Sequence, residues 1–564
     1  MEISGSQMVI EALRKEGVKV VFGYPGGAML NVYDEIYKQK HFEHILTRHE
    51  QAAVHAADGY ARASGNVGVA FVTSGPGMTN AITGLATAYM DSIPLVLISA
   101  QVATTLIGTD AFQEIDSVGI SRPCVKHNYL VRNVDELPRI LKEAFYIAKT
   151  GRPGPVHIDI PKDVTAAVGK FVYPSDITMQ TYKPNYKGNA RQIKKAIEAI
   201  YDAKRPIFYL GGGVINSNAA ELVRELVEEL DIPVVETLMA RGVMPSDHKL
   251  LLGMVGMHGS YNSNMAMSEA DLMIALGARF DDRVTGKLSE FAKNAKVIHV
   301  DIDPSSIGKL VDIDFPIVGD VNNVVCSMLE IIKEKPNSTK KYKEWRDILN
   351  KYKEIHPLSY KDSDEVIKPQ WVIEQVGKIL KDKAVITTDV GQHQMWTAQF
   401  YPFSYPRQLI TSGGLGTMGF GLPAAMGVKC AISDKVSINI TGDGSILMNV
   451  QELMTAAEYN IPVINIILNN NFLGMVRQWQ TFFYDKRYSA TDLSVQPDFV
   501  KLVESFGGVG YKVKTKQEFE KALKDAVKAN KIAMIDVCVD RYENVLPMVP
   551  AGGTLYNMIL EYKE

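Results

Sequence analysis

The sequence predicts an α/β protein built from three doubly wound parallel-sheet domains, and three observations carry that prediction. First, short apolar runs rich in Val and Ile recur without alternation: Val67 to Ser74, Leu95 to Ala100, Pro206 to Leu210 and Val436 to Ile440. Such runs suit strands buried on both faces of a parallel sheet. Second, three of them end in a glycine-rich turn, Gly75-Pro76-Gly77, Gly211-Gly212-Gly213 or Gly442-Asp443-Gly444. A helical stretch and another apolar run follow, the signature of doubly wound units. Third, two polar segments interrupt the pattern, near 168–190 and 334–369. They divide the 564 residues into domains expected at 1–165, 190–333 and 369–564. The second segment is charge-dense, from Lys340-Lys341-Tyr342-Lys343 to Lys361-Asp362-Ser363-Asp364-Glu365, and is expected to carry a solvated helix from Lys341 to Ile355. No repeat of about 20 to 50 residues is visible, which excludes a solenoid.

Composition narrows the function classes. Hydrophobic residues make up 46% and charged residues 22%, ordinary globular usage. Lys and Arg number 61 against 64 Asp and Glu, a net charge of −3. That balance argues against a general nucleic-acid binder. No uninterrupted apolar run of about 18 residues occurs, so no membrane-spanning helix is expected. The start, Met1 to Gln7, lacks a basic region followed by an apolar core, so no secretory signal is expected. Cys124, Cys326, Cys430 and Cys538 are far apart and form no C-x-x-C pair. They are read as free thiols in a reducing cytoplasm, with neither a zinc site nor a redox dithiol. The eleven histidines include no H-E-x-x-H, so any metal must be oxygen-ligated.

The stretch from Val436 to Gly474 is the most informative. A strand ends at Thr441-Gly442-Asp443-Gly444-Ser445, and a helix is expected from Asn449 to Tyr459 with Gln451, Glu452 and Glu458 on its polar side. The next strand, Pro462 to Leu468, ends at Asn469-Asn470-Asn471. A right-handed crossover leaves both strand ends on one edge of the sheet, so Asp443 and Asn470 should meet where α/β sheets bind ligands. One carboxylate and one amide oxygen, completed by phosphate oxygens and water, suit Mg²⁺. The glycines let a diphosphate approach the backbone. Either turn alone is ordinary, because Asp-Gly and Asn-Asn are common turn formers. Together, on consecutive strand ends, they point to a diphosphate and a metal. Upstream, Gly414-Leu415-Gly416-Thr417-Met418-Gly419 is a G-x-G-x-x-G, weak by itself. Near the start, Thr47-Arg48-His49-Glu50 precedes a helical stretch from Gln51 to Ala63. T-x-x-E is a capping box, and capping alone accounts for that glutamate.

GDG-x(25)-N resembles the signature of thiamine diphosphate (ThDP) enzymes. Thr47-Arg48-His49-Glu50-Gln51-Ala52-Ala53 with Ala57-Asp58-Gly59-Tyr60-Ala61-Arg62 resembles their N-terminal domain. Across essentially the whole chain the resemblance is to the acetohydroxyacid synthase family. It is carried by Val21 to Gly27, Gly108 to Glu114, Gly151 to Val156 and Asp159 to Asp163. Arg279-Phe280-Asp281-Asp282-Arg283-Val284-Thr285-Gly286-Lys287, Gly474 to Trp479 and Leu546 to Pro550 extend it.

The resemblance implies a pyrimidine-binding first domain, a flavin-associated middle domain and a diphosphate-binding third domain. It implies a reaction in which pyruvate is decarboxylated and the two-carbon unit is joined to a second pyruvate or to 2-ketobutyrate, with ThDP, Mg²⁺ and a non-redox FAD. Glu50 should hold a proton against the cofactor's aminopyrimidine, an instance of general acid–base catalysis. Gln113 and Lys162 should lie in the substrate channel, Arg283 should bind the acceptor carboxylate and Trp479 should shape the alkyl pocket. Around the cofactor it places Gln392, His393, Gly416, Met418 (as a wedge between the rings), Gly444, Ser445 and Met475. It assigns the metal to Asp443, Asn470 and Phe472. The flavin contacts are Arg152, Gly212, Thr237, Leu238, Met239, Met257, His258, Arg279, Asp301, Ile302, Asp320 and Val321. Glu50 from one chain is paired with Asp443 of another, so a dimer or a dimer of dimers is implied, along with a small regulatory subunit. The sequence departs from the family at Ala103-Thr104-Thr105, where plant members carry a Pro and Arg pair, and at Ala240-Arg241, where Gly often occurs. A flavin-dependent pyruvate oxidase is the alternative enzyme. Its discriminators are the RFDDR segment and Trp479.

Overall fold

The computed structural model describes residues 2–334 and 342–562, so Lys340 and Lys341 of the charged segment lie outside it. Three six-stranded sheets form, all parallel. A small antiparallel pair, Glu2–Ser4 with Val168–Lys170, stands apart from them. The first sheet runs, edge to edge, through Glu43–Leu46, Val20–Gly23, Gly68–Val72, Leu95–Gln101, Pro155–Pro161 and His127–Leu130. The third repeats that order with Leu409–Ile410, Ala384–Thr388, Val436–Gly442, Val463–Asn469, Ala533–Cys538 and Val509–Val513. In chain order both read 2-1-3-4-6-5. The middle sheet differs. Leu251–Met254, Val234–Glu236, Pro206–Leu210, Leu272–Leu276, Lys296–Asp301 and Phe315–Val318 read 3-2-1-4-5-6, the dinucleotide-binding order. In each sheet the strand order reverses beside the first strand, and the crevice at that reversal is where open α/β sheets take ligands.

The sheets sit inside 1–165, 190–333 and 369–564, but two segments cross those expected limits. The helix Lys343–Ile355 is not wholly solvated, because Trp345 and Leu349 are 2% and 0% exposed in the middle domain's core. Trp345 also donates its indole N–H to the carbonyl of Pro206 at 3.1 Å. The chain's tail returns to the same domain, where Val549 N–H donates to Met257 O at 2.8 Å and Lys287 N–H to Gly553 O at 2.9 Å. Among the described residues, no helix is long and apolar enough to cross a membrane. All four cysteines are free thiols.

The first and third domains meet through the helices Glu50–Ser64 and Gly421–Ala431. Gly59 and Gly427 bring the backbones together: a Cβ on Gly59 would stand 2.2 Å from Ala424 O, and one on Gly427 1.9 Å from Ala56 O. The Asp58-Gly59-Tyr60-Ala61-Arg62 motif thus serves domain packing. Arg62, buried, pairs with Asp58 and with Asp91 (2.9 Å) and donates to Thr411 O at 2.7 Å. Asp91 in turn accepts the N–H groups of Gly413 (3.0 Å) and Gly414 (2.7 Å), holding the third domain's glycine-rich segment. Buried charges persist only where they are paired and hydrogen-bonded, and here every one is.

Candidate active site

Gly442 lies opposite Leu468 in the parallel ladder, so Asp443 and Asn470 step off neighbouring strands at one edge. Asp443 is 2% exposed. One carboxylate oxygen accepts Gly444 N–H at 3.1 Å and the other accepts Gln496 Nε2 at 2.6 Å. Burial pushes its carboxyl up to about 6, the response of a desolvated acid. Asn470 donates to Gln392 Oε1 at 3.2 Å and accepts Phe472 N–H at 3.1 Å. Gly474 opens the helix Gly474–Phe483 beside them, where a Cβ would stand 2.1 Å from Gln392 Oε1 and 2.7 Å from Asn470 Nδ2 and displace both amides.

A cleft of about 80 Å³ opens here, lined by Gln392, His393, Met418, Asp443, Gly444, Ser445, Asn470, Phe472 and Met475. His393 Nε2 is a buried polar atom without a partner among the described residues, and burial lowers its imidazole to about 3, so the ring is neutral. His393 lines the cleft, and with the ring proton on Nε2 that nitrogen is a donor that fits a phosphate oxygen. Among the described residues, no group of three or more His, Cys, Asp or Glu gathers to hold a metal. One carboxylate, one amide and a backbone carbonyl match a hard cation that takes its remaining oxygens from a ligand. The G-x-G-x-x-G segment is held from beneath by Asp389, which accepts Gly419 N–H (2.8 Å) and Gly421 N–H (3.0 Å).

A second cavity of about 930 Å³ sits at the junction of the three domains. All twelve residues expected at the flavin line it, from Arg152 and Gly212 through Thr237, Leu238, Met239, Met257 and His258 to Arg279, Asp301, Ile302, Asp320 and Val321. It lies at the middle sheet's reversal, between Pro206–Leu210 and Leu272–Leu276. Gly211 and Gly213 are glycines for packing, since their Cβ atoms would meet Gly277 at 2.2 and 2.7 Å. All three glycines line the cavity, and a Cβ on Gly212 would meet the Met239 side chain at 3.2 Å. Thr237 Oγ1 is buried without a partner among the described residues, and Arg152, Arg279 and Arg283 bring positive charge to the wall, both fitting a dinucleotide's polar groups. Arg241, at the family departure, takes no part. It pairs with buried Glu236 at 2.7 Å and donates to Ala398 O.

Arg283, Trp479 and Gly416 line the same large cavity, which shares Val390, Gly391 and Met475 with the small cleft. Arg283 is 62% exposed with Asp282 at 3.4 Å, and the Trp479 ring packs edge-on against Phe483 at 5.4 Å.

Glu50 departs from the capping box. His49 caps the helix, its Nδ1 accepting Gln51 N–H at 3.1 Å, and Thr47 directs its hydroxyl to Gly23 O. Glu50 is left to accept Asn80 Nδ2 at 3.0 Å while only 9% exposed. Nearby, Gly75 and Gln113 both take left-handed backbones (φ 57° and 59°), and a Cβ on Gly75 would stand 2.7 Å from Gln113 O. Gln101 braces that segment, donating to Ile115 O (2.9 Å) and to buried Asp159 (3.0 Å). Lys162 is exposed at the start of a short helix. Glu50, Gln113 and Lys162 line neither of these two cavities. Sequence reasoning missed Asn80, Asp91, Asp389 and Gln496. Asp389 alone had a signal, its place directly after a strand.

The domains match known families. Residues 3–120 match "Thiamine pyrophosphate enzyme, N-terminal TPP binding domain", 193–328 its central domain and 389–537 its C-terminal TPP binding domain. Fold and site together define a thiamine-diphosphate-dependent enzyme. The chain is 51% identical to the acetolactate synthase large subunit of Buchnera aphidicola subsp. Schizaphis graminum (strain Sg), over 100% of both chains. It is 49% identical to the acetolactate synthase isozyme 3 large subunit of Escherichia coli (strain K12), covering 100% of this chain and 99% of the relative. A probable acetolactate synthase large subunit of Methanocaldococcus jannaschii is 48% identical over 99% of this chain and 95% of its own length. The chain belongs to the acetolactate synthase large-subunit family.

Proposed function

We propose that this transferase decarboxylates pyruvate and joins the remaining two-carbon unit to a second pyruvate, giving 2-acetolactate, or to 2-ketobutyrate, giving 2-aceto-2-hydroxybutyrate. This is the first common step of branched-chain amino-acid synthesis. The supporting observation is the shared wall of the two cavities, which sets Arg283 and Trp479 beside the cleft of Asp443 and Asn470. When bound, thiamine diphosphate supplies the electron sink that a 2-ketoacid needs to lose CO₂. Asp443, Asn470 Oδ1 and the Phe472 carbonyl would hold Mg²⁺, with Gly444, Ser445 and His393 Nε2 facing the diphosphate. Glu50 holds a proton at its carboxyl against the aminopyrimidine, and Asn80 fixes the carboxylate's orientation. Arg283 offers a guanidinium to the acceptor's carboxylate, whose two oxygens it can meet at once. The Trp479 indole limits the space for the acceptor's alkyl group. Gln113 and Lys162 line the approach. FAD fits the middle domain's crevice and has no redox part in a reaction that is neutral overall.

Glu50 lines neither cavity within one chain, which supports a working unit of at least a dimer, each site drawing Glu50 from one copy and Asp443 from the other. The relatives are named large subunits, which supports a small regulatory partner, and a biosynthetic enzyme of this kind works in the cytoplasm.

The direct test is product analysis with pyruvate and 2-ketobutyrate, supplying ThDP, Mg²⁺ and FAD. Acetolactate should form without an electron acceptor, and strict dependence on O₂ or a quinone would instead mark an oxidase. W479L should shift the ratio of the two products by about 5-fold or more, a methylene-scale effect. An unchanged ratio removes Trp479 from specificity. D443A should lose Mg²⁺-dependent ThDP binding by about 100-fold, comparable to deleting a metal ligand's support. Equal cofactor affinity by fluorescence titration would contradict the metal assignment.

A further inference from the structure

Glu452 is expected from the sequence on a polar helix face, yet it is fully buried (0% exposed) at the start of the helix Glu452–Glu458. Among the described residues no basic side chain forms an ion pair with it, and the Arg48 charge reaches it only at longer range. Both of its carboxylate oxygens accept the backbone N–H of Arg48, at 3.0 and 3.2 Å, and one also accepts the Thr455 hydroxyl at 2.7 Å. The Arg48 guanidinium turns away, to Leu46 O (3.1 Å) and Glu458 (2.5 Å). Tyr459, at the end of the same helix, accepts Leu46 N–H on its hydroxyl at 3.1 Å.

One short helix of the third domain thus grips the chain from Leu46 to Arg48, just before His49 caps the helix and Glu50 opens it. The grip is tied to the metal-binding turn. Glu452 follows Asp443 through the turn Ile446–Asn449, where Asn449 Nδ2 donates to Gly419 O at 2.7 Å. General domain adhesion does not require a buried carboxylate, because the apolar packing of Glu50–Ser64 on Gly421–Ala431 already supplies it. A buried carboxyl aimed at the peptide N–H of Arg48 fixes position.

We propose that Glu452 is a positioning residue for Glu50, setting the height and direction at which the helix carrying that carboxylate begins. The inference rests on the reading of Glu50 given under Proposed function. Positioning errors of this kind lower the rate while leaving a remote binding site intact.

The test uses the full chain loaded with ThDP and Mg²⁺ and reads exchange of the cofactor's C2 hydrogen by NMR, kcat, and cofactor Kd by fluorescence. E452A should slow exchange and kcat by about 20-fold while Kd changes by less than about 3-fold. E452Q keeps an oxygen for Arg48 N–H and should recover to within about 3-fold of the parent. Y459F, which removes only a hydroxyl, should slow exchange about 3-fold with unchanged melting. In an E50A background, E452A should slow exchange no further. Parent-like exchange in E452A overturns the proposal, as does a loss confined to Kd or one that persists fully in the E50A background. If E452A does not fold, Y459F decides, and parent-like exchange there overturns it. Parent-like exchange in E50A alone would instead overturn the reading of Glu50, which keeps the two failures distinct.

Discussion

E50A is expected to slow C2-hydrogen exchange of bound thiamine diphosphate, and turnover with it, by about 100- to 10,000-fold, the range for a positioned acid–base group. The protein itself should stay folded. The helix keeps its cap, because His49 and not Glu50 satisfies the first free N–H, so the structural loss is one hydrogen bond to Asn80. That bond is worth about 1 kcal/mol. E50Q separates the two contributions: an amide oxygen can still accept Asn80, but the side chain cannot exchange a proton. It should therefore melt like the parent and exchange like E50A. Unchanged exchange in either variant would return Glu50 to a structural role.

The second large effect is on assembly of the domains. R62A leaves Asp58 and Asp91, 0% and 9% exposed, without their cation, and breaking such a buried pair costs about 3–5 kcal/mol. Asp91 also holds Gly413 and Gly414, so the loss should loosen the first domain against the third and disturb the large cavity that Arg62 and Asp91 line. R62A should lower the melting midpoint by several degrees, expose the 413–419 segment to proteolysis and weaken flavin retention. The triple change D58N/R62M/D91N removes all three charges and should recover most of the stability, because it leaves no buried charge unpaired. A melting midpoint for R62A equal to the parent's would show that the network contributes nothing to domain docking.

These two sites show how unevenly sequence discloses structure. The strand at Pro206–Leu210 and the helix now bounded at Glu50–Ser64 were readable because hydrophobic runs and helix starts are local patterns. The helix expected over Asn449–Tyr459 is split into a turn, Ile446–Asn449, and a helix from Glu452, because Asn449 is drawn to Gly419 thirty residues away in sequence. Glu452 looked solvent-facing for the same reason. Its partner Arg48 lies in another domain, and no periodicity marks a residue that is buried by a distant backbone.

By itself the sequence determined the parallel-sheet class and the meeting of Asp443 with Asn470. Consecutive strands joined by a right-handed crossover leave their ends on one edge, so adjacency follows from chain order alone. Resemblance added the chemistry. Tertiary structure alone decided the 3-2-1-4-5-6 order that opens the middle domain's crevice, and the release of Glu50 from capping. It also decided the burial that leaves His393 Nε2 and Thr237 Oγ1 unpartnered among the described residues, and the placing of Glu50 outside the walls of both cavities. Each of these depends on which surfaces are removed from water by partners far away in sequence, and burial of that kind has no local signature.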